Sequence, residues 1–81
     1  MKILITLRGP LLKKNFFGDL KEKEFEFPDG ITCDEALQLA GIDWRNIPVF
    51  GFVAVNNLRV MIDTPLKDGD VLKAYPRIGG G

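Results

Sequence analysis

Few side chains in this 81-residue sequence are equipped for chemistry. There is no histidine, which removes imidazole acid–base catalysis and most zinc sites. The one cysteine, Cys33, excludes an internal disulfide and any four-cysteine metal or iron–sulfur centre, and it suits a reducing, cytoplasmic setting. Cys33 stands at the start of a predicted helix, where thiols become reactive, yet it also falls on that helix's apolar stripe and reads as a buried packing residue. Asp68-Gly69-Asp70 offers two carboxylates, too few to hold calcium well, and reads as a turn. Lys13-Lys14 beside Phe16-Phe17 pairs cations with aromatics, but 11 basic residues balance 11 acidic ones, so nothing draws the chain as a whole to nucleic acid or lipid. That stretch reads as a solvated loop with apolar anchoring. With no nucleophile–base pair and no metal cluster, the sequence does not describe a free-standing enzyme. What is left is the main chain of the ending Tyr75-Pro-Arg-Ile-Gly-Gly-Gly81, whose glycines offer a core nothing.

The elements that would carry this ending can be read from periodicity. Eighty-one residues make one domain, and 46% hydrophobic composition with six Phe supplies its core. Ile3, Ile5 and Leu7 alternate against Lys2, Thr6 and Arg8, with Leu4 breaking the polar side, predicting a strand over Lys2 to Arg8, and Glu22 to Phe27 alternates Glu with Phe as its hairpin partner. The intervening stretch after Gly9-Pro10 reads as an unresolved loop. Thr32-Cys33-Asp34-Glu35 matches a capping box, and Cys33, Ala36, Leu37 and Ala40 form the stripe of a helix of about two turns, closed by Gly41-Ile42. Residues 52–56 and 58–62 read as strands joined at Asn56-Asn57, because Asn tolerates the positive φ of a tight turn. Val71 to Tyr75 is the last strand. No segment approaches the length of a membrane span.

The order ββαβββ, one helix over a small mixed sheet, is the α+β arrangement called the β-grasp, which hosts many functions. The stretches GFVAVNNLRV and PLKDGDVLKAYPRIGGG resemble the MoaD/ThiS family of ubiquitin-like sulfur-carrier proteins: an acidic-Gly-acidic turn at Asp68 to Asp70, an apolar strand from Val71 to Ala74, an aromatic-Pro step at Tyr75-Pro76 and a terminal Gly80-Gly81. Gly79 departs from the small residue such as Ser, Thr or Ala more common there, without disturbing the register. The resemblance implies a β-grasp domain over residues 1–78 and a flexible tail, Gly79 to Gly81. It implies that the reacting group is the Gly81 α-carboxylate, ionised at neutral pH since its ordinary pKa is about 3.3–3.7. A separate ubiquitin-activating-type adenylyltransferase would join that carboxylate to AMP from Mg-ATP, and a persulfide source would convert the acyl-adenylate to a thiocarboxylate. The carrier would hold no cofactor stably; ATP and Mg belong to the activating partner. A sulfur acceptor such as a molybdopterin synthase large subunit would be the second partner, with no nucleic acid and no membrane.

Molybdenum- or tungsten-pterin assembly is the leading destination of the sulfur, with thiamine thiazole formation and tRNA thiolation as rivals. A ubiquitin-like protein modifier uses the same tail, and a plain β-grasp binding module would leave the tail inert. Electron-transfer ferredoxins, also β-grasp, fail on cysteine count. Glycines allow the close main-chain approach of a tail threading to a nucleotide, and Pro76 biases Tyr75 toward extended backbone, steering the tail outward. With Ile3, Ile5 and Leu7 facing the helix, alternation turns Leu4 outward and places Phe52 and Tyr75 on the same open face. Together with Pro76 and Ile78 these form the expected partner-binding surface, unless the loop carrying Phe16 and Phe17 folds over it.

Overall fold

The inward row of the first strand sets the architecture. In β1 (Lys2–Leu7) Ile3, Ile5 and Leu7 are buried, and the rest of the domain is assembled around that face. The computed structural model describes residues 1–77. After β1 come β2 (Glu22–Glu26), α1 (Cys33–Leu39), β3 (Phe50–Val55), β4 (Leu58–Val60) and β5 (Val71–Pro76), with short 3-10 helices at Gly9–Lys14 and Trp44–Asn46. The five strands form one sheet in the order β2-β1-β5-β3-β4. β1 and β5 run parallel at its centre, and the other pairs are antiparallel. This is the β-grasp arrangement expected from the sequence.

One face of the sheet buries Ile3, Ile5, Leu7, Val53, Leu72 and Ala74 against Cys33, Ala36 and Leu37 of α1. Two turns of helix are marginal alone, so α1 depends on its ends and on this packing. Thr32 Oγ1 accepts from the Glu35 amide at 3.2 Å, and Glu35 Oε1 accepts from the Thr32 amide at 3.0 Å, completing the capping box. At the other end Gly41 takes φ +88°, the Gly41 amide donates to Gln38 and the Ile42 amide to Leu37, a Schellman closure with Ile42 buried beneath it.

Several boundaries differ from expectation: β1 stops at Leu7 and not Arg8, β3 covers Phe50–Val55 and not 52–56, and β5 runs one residue past Tyr75 to Pro76. β2 ends at Glu26, opposite Lys2 where β1 begins; the Phe27 amide still donates to the Met1 carbonyl, and its ring enters the core. β4 ends at Val60 and not at residue 62: the carbonyls of Ile62 and Thr64 turn away to accept from the first helical amides, Asp34 at 2.8 Å and Cys33 at 2.9 Å. The stretch after Gly9-Pro10, unresolved in the sequence, forms a 3-10 helix with Pro10 in its first turn, ending at Asn15 in the left-handed region. Its Leu11 is buried, and Phe17 packs 5.5 Å from Phe25, which pairs with inward-facing Ile3. The loop therefore closes the helix side of the sheet and leaves the opposite face open. Among the described residues no helix is long and apolar enough to cross a membrane.

Candidate functional site

Residues directly opposite in adjacent strands share a face, so the register defines the open side. One row crosses the sheet as Glu22, Thr6, Lys73, Ala54 and Arg59; a second runs Glu24, Leu4 and Val71; a third pairs Tyr75 with Phe52. Leu4, Val71, Phe52 and Tyr75 are half-buried, two apolar pairs on either side of the row that holds Lys73. Thr6, 6% exposed, and Ala54, 4% exposed, are covered although they lie on this side. Thr6 sits between Glu22 and Lys73 and Ala54 between Lys73 and Arg59, long side chains whose stems can lie along apolar surface while their charges reach water.

The aromatic pair organises the end of the face where the chain leaves the sheet. The rings of Phe52 and Tyr75 stack at 4.8 Å with planes 7° apart. The Arg59 guanidinium lies 4.4 Å over Phe52 and that of Arg8 lies 5.8 Å over Tyr75, so two cations bracket the stack. Each such contact is worth about 0.5–1 kcal/mol at an exposed site. At the far edge, β2 turns Glu22, Glu24 and Glu26 to the same side. The face thus grades from carboxylates at β2 through the Leu4-Val71 pair to guanidinium groups around the stack, although the whole chain carries no net charge.

Leu4, Phe52 and Tyr75 lie on one face, with the Thr6, Lys73 and Ala54 row between Leu4 and the stacked pair. Pro76, next along β5, follows Ala74 in alternation; its cross-strand partner Phe50 packs against the core. Ile78, Gly79, Gly80 and Gly81 lie outside the described residues. The root of the tail is anchored before them: the Arg77 amide donates to the Val49 carbonyl at 2.7 Å, extending the β3–β5 ladder past Pro76.

Sequence reasoning missed Arg8, Arg59 and the glutamate edge as parts of one surface. Alternation marks each as outward, but only the strand order places them on neighbouring strands.

The remaining chemically able groups are structural. Asp68 Oδ1 accepts from the Lys2 amide, while Asp70 accepts from the Lys67 amide and from Asn56 Nδ2 at 2.8 Å, so both carboxylates fasten a turn. Cys33 is fully buried, and burial above all pushes its thiol up to about 11, with Asp70 and Asp63 adding to the rise against an opposing backbone hydrogen bond. It is a packing residue and not a nucleophile at neutral pH. Among the described residues no group of three or more His, Cys, Asp or Glu side chains is gathered to hold a metal.

No family model matches the chain, and no curated protein matches its sequence. Solved structures do. The molybdopterin converting factor subunit 1 of Pyrococcus furiosus is 25% identical over 96% of this chain and 99% of its own, with a TM-score of 0.73. A chain of the BexX/CysO complex of Amycolatopsis orientalis is 26% identical, covering 98% of this chain and 99% of that one at a TM-score of 0.64. A complex of subunits 1 and 2 of molybdopterin-converting factor from Helicobacter pylori contains a chain with the same fold, 22% identical with all of both chains covered and a TM-score of 0.64. These neighbours are small ubiquitin-like carrier proteins of β-grasp fold, and the resemblance to the MoaD/ThiS sulfur carriers read from the sequence holds in three dimensions.

Proposed function

We propose that this chain, built like the ubiquitin-like sulfur carriers, is itself a sulfur carrier whose reacting group is the Gly81 carboxylate. The observation that carries the reading is that β5, the strand that runs on in sequence to the glycine ending, also carries Tyr75 of the stacked, guanidinium-bracketed pair on the open face. The face offers a partner a flat surface, and the tail offers it a carboxylate without side-chain bulk. In the proposed reaction a carboxylate oxygen attacks the α-phosphorus of Mg-ATP on a separate adenylyltransferase, and pyrophosphate leaves. The outer sulfur of a persulfide then attacks the acyl-adenylate and expels AMP, and a thiol reduces the resulting acyl disulfide, taking the persulfide's inner sulfur into a disulfide and releasing the thiocarboxylate, which passes sulfur to an acceptor enzyme.

Pterin cofactor assembly is the proposed destination. One neighbour, 25% identical, is described as subunit 1 of molybdopterin converting factor, and another, 22% identical, is a chain of a complex of subunits 1 and 2 of that factor. A large-subunit acceptor docking on the same open face is the corresponding partner. Cytoplasmic localisation and the absence of any stably bound cofactor belong to the same proposal.

Incubating the intact chain with the adenylyltransferase of its own cell, Mg-ATP and a sulfide source should raise its mass by one oxygen-to-sulfur exchange, localised to the C-terminal peptide. Failure to form an acyl-adenylate, with the cellular role surviving removal of Gly80 and Gly81, would leave a non-covalent binding module in its place. Lysine-linked adducts in cells would instead identify a protein modifier.

A further inference from the structure

β3 and β5 do not pair evenly where the tail begins. Phe52 lies opposite Tyr75 and Phe50 opposite Pro76, so Gly51 is an extra residue without a partner of its own. Such a bulge bends its strand and re-aims the neighbouring chain. Gly51 is absent from the glycines with positive φ, so conformation does not demand glycine here; space does. A Cβ at Gly51 would lie 2.5 Å from the Pro76 carbonyl oxygen, 2.7 Å from the Pro76 carbonyl carbon and 2.8 Å from the Arg77 Cα, all main-chain atoms. From the neighbouring β1 side, Gly9 approaches the Pro76 ring: at φ +55° its Cβ would fall 3.0 Å from Pro76 Cγ. Beyond the bulge the Arg77 amide is again bound, to Val49.

We infer that Gly51, with Gly9, is a positioning residue that clasps the Pro76-Arg77 main chain and so fixes the direction in which the C-terminal tail leaves the sheet. The inference rests on the carrier reading, in which the tail's aim decides the rate of reaction. The atoms a methyl group at residue 51 would displace belong to residues 76 and 77, downstream of buried Leu72 and Ala74. The core therefore stays in place while the root of the tail moves. A shift of about 1 Å in a positioned reactant costs on the order of a hundredfold in rate. The docking side chains Leu4, Phe52 and Tyr75 are not themselves altered, so binding and reaction should separate.

The test compares Gly51→Ala with the native chain in pyrophosphate release by the adenylyltransferase, in competition for that enzyme, and in hydrogen exchange of the Arg77 amide. The expected result is adenylation at least tenfold slower at saturating carrier, competition within about threefold of native, and an Arg77 amide exchanging at least tenfold faster while the Leu72 and Ala74 amides keep their protection. Gly9→Ala, whose Cβ would meet the Pro76 ring and whose φ of +55° strains the backbone at residue 9 as well, should shift the same readouts to a smaller extent with the Leu72 and Ala74 amides still protected; it decides the matter where Gly51→Ala does not fold. Native adenylation at saturation in the folded variant, native Arg77 exchange, or a loss confined to affinity overturns the inference. An intact chain that is never adenylated counts against the carrier reading, whereas the Arg77 amide still reports on the clasp.

Discussion

At the scale of single residues, the proposed chemistry sits in a main-chain group and the one side chain able to compete with it is disarmed. Deleting Gly81 moves the terminal carboxylate by up to about 3.3–3.6 Å, one extended residue. Adenylation should fall on the order of a hundredfold or more while the melting midpoint is unchanged, since the described core and ladder end by Arg77. Appending Ala after Gly81 should fail similarly, by overshoot and by an added methyl group. Cys33 gives a pH prediction. Its thiol ordinarily titrates near 9.0 and is pushed to about 11 in the fold, so between those values the unfolded chain loses the proton and the folded chain keeps it. The contribution is fully present below pH 9.0 and is lost as pH rises toward 11, at up to about 1.4 kcal/mol per pH unit. Cys33→Ala removes this term, so the stability difference between native and variant, followed by urea denaturation, should shrink across that window. A constant difference would show that the thiol titrates alike in both states. The native thiol should also resist alkylation at pH 7 until the chain unfolds.

At the scale of elements, one asparagine ties two turns together. Asn56 (φ +51°) and Asn57 (φ +70°) both occupy the left-handed region that a two-residue hairpin turn requires. Only Asn56 reaches beyond the turn along the main chain: its Oδ1 accepts from the Val71 amide at 2.9 Å, and its Nδ2 donates to Asp70. Asn56→Ala strains the turn and strips a partner from the start of β5, a loss of about 2 kcal/mol; Asn57→Gly relaxes the turn and should be neutral within about 0.5 kcal/mol, despite forfeiting an exposed contact with Lys73. Denaturant midpoints of the two variants check the asymmetry. The same elements mark what is legible in a sequence. The capping box, the glycine closure of α1, the Asn-Asn turn and the alternation of β1 are local patterns, each fixed within a few residues. The end of β4 is not, because it is set by helical amides of Cys33 and Asp34 competing for the carbonyls of Ile62 and Thr64. Nor is the 3-10 helix at Gly9–Lys14, whose single short run carries no periodicity to detect. Gly51 is the clearest case: nothing beside it in the chain announces a bulge that exists only against Pro76.

At the scale of the whole molecule, the neutral total charge conceals a polarised face. Carboxylates of Glu22, Glu24 and Glu26 occupy the β2 edge, while Arg8 and Arg59 bracket the aromatic stack across the sheet. Leu4, Phe52 and Tyr75 are legible as outward-facing from alternation alone, but their setting between opposite charges needs the strand order, which places β5 between β1 and β3. A partner complementary to this face would present cations toward β2 and carboxylates toward the guanidinium groups, so association should slow as ionic strength rises. Phe52→Glu tests the surface without touching the core. Phe52 is half-buried on the open face, and a carboxylate there can pair with Arg59, which limits the cost to stability while placing charge at the stacked pair. Leu4→Glu introduces a like charge directly opposite Glu24, so a modest loss of stability, about 0.5–1 kcal/mol, should accompany it. Both variants should remain folded by circular dichroism and bind the activating enzyme at least tenfold more weakly, with the weakening expressed mainly in dissociation for these apolar positions and in salt-dependent association for Arg59→Ala. Surface plasmon resonance at two salt concentrations separates those components. Native binding by folded Phe52→Glu would move the docking surface off this face; unfolding of both glutamate variants would mean that Leu4 and Phe52 serve the core instead.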